Sequence, residues 1–146
     1  MKIDVSYLKK LLGAFADSDK AHITLSEIED LGIIIVDVEP LRAINETFLF
    51  HIQILLDNKL ISNRHNKCES IEDVGINFGM GQALLLCDVP LRLTQKGHDF
   101  ASALANKDVF EKLKTELTNA PFRILFDGSQ KLLEHYLTKK LDALLE

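Results

Sequence analysis

The apolar residues between Ile44 and Ile61 change their spacing, and that change limits the chain to a few topologies. Ile44, Phe48, Ile52, Leu55 and Leu56 recur at helical intervals and form one stripe. The run Leu55-Leu56-Asp57-Asn58-Lys59-Leu60-Ile61 then leaves that period, which predicts a helix over Leu41 to Asn58 passing directly into a strand. A helix that feeds a strand without a long connection must pack close to the sheet that the strand joins.

The flanking segments extend this order. Leu8, Leu11, Leu12 and Phe15 predict an amphipathic first helix, with Asp4 or Ser6 as its cap and Asp17-Ser18-Asp19-Lys20 as its end. Ile23-Thr24 reads as a short extended piece and Ser26 to Leu31 as a brief helix stopped by Gly32. Ile33 to Val38, β-branched and apolar, reads as a short buried strand or a buried connection to Pro40. Residues 62–82 are polar with Gly75, Gly79 and Gly81, the composition of a long loop or an elaborated hairpin. Leu84 to Cys87 and Leu91 to Leu93 are strand candidates. Helices follow through Phe100 to Leu104, over Val109 to Leu117, and from Pro121 through Leu144, with Gly128 as a point of possible bending.

The expected fold is mainly α with a small β-hairpin: a winged helix-turn-helix core with extra C-terminal helices. Residues 1–105 would form the winged part, with its wing at about 62–90, and residues 106–146 a helical extension on the same core. A chain of 146 residues suits one domain of this kind.

Two blocks are similar to a known family. Phe50 to Ile61 follows the pattern His-x-x-x-Leu-x-x-x-x-Leu-Ile through His51, Leu55, Leu60 and Ile61. Arg92-Leu93-Thr94-Gln95-Lys96-Gly97-His98-Asp99-Phe100 matches Arg-Leu-Thr-x-x-Gly-His-x-Phe. With Val109 to Lys114, these blocks resemble the bacterial and phage family known as domain of unknown function 2513. The resemblance implies a winged-helix fold and an association with phages and prophages, and it implies no activity. The stretch from Asn66 to Gln82 departs from the family pattern as an insertion in the wing. Within the second block, Thr94 is placed to cap the following helix and Gly97 to let that helix lie close to the sheet.

Charge bears on partners. The net charge is −5, and residues 1–60 hold six Lys and Arg against ten Asp and Glu. The half that contains the recognition-helix candidate is the most acidic, which opposes tight nonspecific DNA binding. The outer face of that helix offers Glu46, Thr47, Phe50, Gln53, Ile54 and Asp57.

The leading expectation is nevertheless a phage-type DNA-binding or regulatory protein acting as a homodimer. Arg42, Asn45 and Gln53 would lie on the recognition helix, with Arg64, His65, Lys67 and Arg92 on the wing. The alternative is a protein-interaction module with no nucleic acid, using Phe50 and Ile54. In either case the stripe Leu133, Leu137, Leu141 and Leu144 is a second interaction candidate.

No enzyme is expected. His65-x-x-Cys68 is the only close pair of metal ligands, short of the four that a zinc site takes, so no metal or cofactor is assigned. Gly79-Met80-Gly81 lacks the third glycine of a dinucleotide loop, and no small-molecule substrate is evident. Two cysteines, Cys68 and Cys87, predict reduced thiols rather than a disulfide framework. No apolar run is long enough for a bilayer and Met1-Lys2-Ile3-Asp4 is followed by no signal-like block, so a cytoplasmic protein is expected.

Overall fold

The structure is a computed structural model of residues 1–146. Helix α1 (Val5–Ala16) begins where the Asp4 carboxylate accepts the Tyr7 amide at 3.1 Å, and it buries Leu8, Leu11, Leu12, Ala14 and Phe15. Ile23 then pairs with Leu91 through two main-chain bonds of 2.8 Å. Thr24 caps the short helix α2 (Leu25–Asp30), which buries Leu25 and Ile28.

Between α2 and the next helix the chain departs from expectation. Val36–Asp37 (β1) and Ala43–Ile44 (β2) form a small antiparallel hairpin, with Ile33 and Ile35 buried and Ile34, Val38 and Leu41 exposed. The expected helix over Leu41 to Asn58 therefore starts late. Helix α3 spans Glu46–Asp57, and Asn45 is its cap, accepting the Phe48 amide at 2.9 Å. The Asn45 side chain also donates to Asp37 at 3.0 Å, so the cap is tied back to the hairpin that displaced the first turn.

Helix α3 does run into a strand. Leu60 donates its amide to the Leu55 carbonyl, and β3 (Ile61–Asn63) pairs with β6 (Leu91–Leu93) in antiparallel register, Ser62 opposite Arg92. With the Ile23 bridge, the order across this sheet is Ile23, β6, β3. The segment between its strands is no open loop. It holds a 3₁₀ turn at Ile71–Val74 and a second hairpin, β4 (Ile76–Phe78) with β5 (Leu84–Leu86). Val74 and Ile76 are fully buried, so this segment contributes to the core rather than standing in solvent.

The junction after β6 follows its sequence signal. Thr94 Oγ1 accepts the Gly97 amide at 3.1 Å and donates to the Lys59 carbonyl at 2.6 Å, capping helix α4 (Gln95–Ala105) and fastening it to the end of α3. A Cβ on Gly97 would sit 2.0 Å from the Leu60 carbonyl oxygen, so only glycine allows this approach of helix to sheet. Asn106 ends α4 and caps α5 (Lys107–Glu116), accepting the Val109 amide.

Helix α6 (Phe122–Leu145) starts at Pro121 and runs unbroken through Gly128 for 24 residues, about 36 Å. Phe122 and Phe126 pack edge-on against Phe100 of α4, at ring separations of 5.5 and 5.4 Å. The hydrophobic core is a single cluster drawn from α1 to α5 and the strands, with the first half of α6 laid against it. No helix is long and apolar enough to cross a membrane.

Candidate interaction surface

Helix α3 carries no Lys or Arg. Its inner face buries Phe48, His51, Ile52, Leu55 and Leu56. Its outer face shows Glu46, Gln53 and Asp57 to solvent, with Thr47, Phe50 and Ile54 half-buried. Helix α6 packs on α4 and α5.

The segment between β3 and β6 comes up beside this face. Gln53, Leu56 and Asp57 of α3 and Glu69, Ser70, Ile71 and Glu72 of that segment line one groove of about 400 Å³. Its charged groups are three carboxylates, and no cation lines it. Asp73 holds the wall in place, its carboxylate accepting the amides of Glu69 and Ser70 at 2.9 and 3.2 Å. Sequence reasoning missed this juxtaposition, because Glu69 and Glu72 were legible only as members of a polar loop.

The residues expected to contact DNA separate into two sets. Arg42 and Asn45 lie ahead of α3, not on it. Arg42 donates from Nη1 to the Leu84 carbonyl at 2.6 Å and ties hairpin β1–β2 to hairpin β4–β5, while Asn45 is occupied as a cap. Gln53 is exposed on α3 in the acidic groove. Arg64, His65 and Lys67 are exposed in the turn after β3, built around Asn63, whose side-chain oxygen accepts the amides of His65 and Lys67. Arg92 joins that turn by donating from Nη2 to Asn66 at 3.1 Å. Arg64, Lys67 and Arg92 therefore share a neighbourhood with His65, and the three residues assigned to the recognition helix do not extend it.

Nowhere do three His, Cys, Asp or Glu side chains gather as metal ligands do. Cys68 is half-buried and Cys87 exposed, both as free thiols.

A second apolar surface lies on α6. Leu133 is half-buried against the core, whereas Leu137, Leu141 and Leu144 are 50 %, 54 % and 75 % exposed. Gln130 donates to the carbonyl of Asp99, in the second turn of α4, and Leu132 and Tyr136 line a groove with Asp108 and Val109 at the start of α5. With Gly128 set against Leu117 at the far end of α5, helix α6 runs antiparallel to α5 and overshoots it. Every residue from Glu134 onward is exposed. Exposed apolar side chains at the hairpins, Ile34, Val38, Leu41, Phe78, Met80 and Leu85, were not anticipated, since short strands give no periodicity from which an outer face can be read.

No family model, curated protein or solved structure matches the chain.

Proposed function

We propose that this chain is a winged-helix-type protein-interaction module that receives a basic, partly apolar segment of another protein on α3 and the adjoining insertion. The order α1, Ile23, α2, α3, β3, hairpin, β6 supports the winged-helix reading, as does the Ile23–β6–β3 sheet. The observation that carries the function is the groove of Asp57, Glu69 and Glu72 beside half-buried Phe50 and Ile54 on a helix without a cation. Such a face repels a phosphate backbone and complements Lys or Arg set among apolar residues.

The competing reading is DNA binding through the wing cluster of Arg64, His65, Lys67 and Arg92. Two titrations on the same protein separate them: a synthetic Lys/Leu amphipathic peptide and a random-sequence DNA duplex, each followed by fluorescence anisotropy against salt. The expected result is salt-sensitive peptide binding, weakened at least about tenfold by Asp57→Lys with Glu72→Lys, and no DNA binding at low salt. DNA binding that Arg64→Ala with Lys67→Ala weakens, without any peptide binding, would transfer the function to the wing.

Self-association is proposed for the overhanging half of α6. Two overhangs laid together bury the same Leu137, Leu141 and Leu144 stripe twice, which is the self-complementarity that a two-fold dimer uses. About three turns of isolated helix are marginal in water, so a partner helix would also stabilise the segment.

A further inference from the structure

His51 is the one charged-capable side chain that α3 places inside the molecule, at 1 % exposure. Its two ring nitrogens have different partners. Nδ1 lies 2.7 Å from the Thr47 carbonyl oxygen one turn back, and Nε2 lies 3.0 Å from the backbone nitrogen of Asp4. A carbonyl oxygen can only accept a hydrogen bond, so Nδ1 carries the proton. A backbone N–H can only donate, so Nε2 is bare. Both bonds are satisfied by the neutral Nδ1–H tautomer alone.

The partner of Nε2 has two tasks. The Asp4 amide goes to His51, and the Asp4 carboxylate accepts the Tyr7 amide as the cap of α1. The Tyr7 ring in turn lies against the imidazole at 4.5 Å between centroids, and Phe50 meets it edge-on at 5.0 Å. The titratable groups in contact with His51 are Asp4 and Tyr7, both from the N-terminal segment and α1. On its own helix it touches Thr47 and Phe50, which do not titrate.

We propose that His51 is a proton-operated latch between α3 and the N-terminal end of α1. Neutral, the ring holds the Asp4 backbone and leaves the carboxylate free to cap the helix. Protonated, it presents an N–H to the Asp4 N–H, and that bond is lost. The nearest group of opposite charge is the same Asp4 carboxylate, and an imidazolium that takes it removes the cap from Tyr7. Residues 1–4 and the first turn of α1 then come away from α3 beside Phe50.

Burial holds the ring's pKa below its ordinary value, against the Thr47 carbonyl and the Asp4 carboxylate, which pull it up. The latch accordingly opens at a pH below the ordinary imidazole value. Tyr7 does not compete as the switch, because burial pushes its phenol up to about 12.

The test is an NMR titration of the full-length chain, following the ring nitrogens of His51 and amide exchange at Asp4 and Tyr7. Above pH 7 the ring should show the Nδ1–H tautomer. Its titration midpoint should lie below about 6.5, and both amides should exchange at least about tenfold faster through that same midpoint. In His51→Gln the acceleration should vanish. A proton on Nε2 at neutral pH, or amides at Asp4 and Tyr7 indifferent to the ring's titration, would overturn the proposal, and both are read on the unaltered protein.

Discussion

Two helix contacts in this molecule lie at opposite extremes. Where α4 leaves the sheet, Gly97 is pressed so close to the Leu60 carbonyl that a single added carbon has no room. Along the last three turns of α6, Leu137, Leu141 and Leu144 meet no comparable neighbour. Both helices carry apolar residues at helical spacing, and within α6 the stripe that is covered through Phe126 and Leu133 continues uncovered beyond them. Spacing therefore decides which face of a helix is apolar. The lengths of the neighbouring helices decide how much of that face is covered: α4 has 11 residues and α5 has 10, against 24 in α6.

The comparison can be broken hardest at the tight end. Gly97→Ala places its Cβ against the oxygen and carbon of the Leu60 main chain, neither of which can swing aside as a side chain does. The expected loss is about 4 kcal/mol or more in urea unfolding. A loss below about 1 kcal/mol would mean that helix and sheet can separate without penalty. Within α6, Leu125→Ala empties a site that is 2 % exposed and should cost about 3 kcal/mol. Equal costs for Leu125→Ala and Leu141→Ala in the same experiment would refute the division of α6 into a covered and an uncovered half.

The tight end was readable from residue types, because a cap and a glycine act locally. Thr94 needs only the amide three residues on, and Gly97 marks a close approach whatever approaches. Asn106 and Pro121 punctuate the C-terminal helices for the same reason. The start of α3 was not readable. Leu41 to Asn45 satisfies a helical pattern, and the β1–β2 pairing of Val36 with Ile44 overrides it through contacts between segments. The acidic groove depends on how the segment between β3 and β6 folds back to set Glu69 and Glu72 near Asp57, which no periodicity encodes. His51 was legible as the first residue of its sequence pattern, but its bond to Asp4 joins residues 47 apart in the chain.

A smaller effect on stability comes from pH. The folded state holds His51 below the ordinary value near 6.5, so between those two values the unfolded chain binds more protons. Stability from this site is complete above about pH 6.5 and declines as pH falls toward the folded value. Tyr7 acts with the opposite sign. Its folded value of about 12 lies above the ordinary 10.0, so its contribution is whole below pH 10 and declines as pH rises toward 12. Urea midpoints across pH 5 to 8 should therefore rise with pH, and His51→Gln should remove that part of the slope. A slope unchanged in the variant would assign the acid sensitivity to other groups.

The smallest change in stability is expected at the loose end, where it discriminates most. Leu141→Glu with Leu144→Glu adds charge to side chains that are 54 % and 75 % exposed, and the folding of a single chain should shift by less than about 0.5 kcal/mol. The mass from light scattering should change far more, falling from that of two chains to that of one, because two carboxylates per copy would then be buried without partners across the stripe. A wild-type protein that is already a single chain at high concentration would show that the overhang does not receive a second copy. Large unfolding in the double variant would show instead that the outer half of α6 is held by its own chain. Either result would move the boundary between covered and uncovered helix that α4 and α5 now set near Leu133.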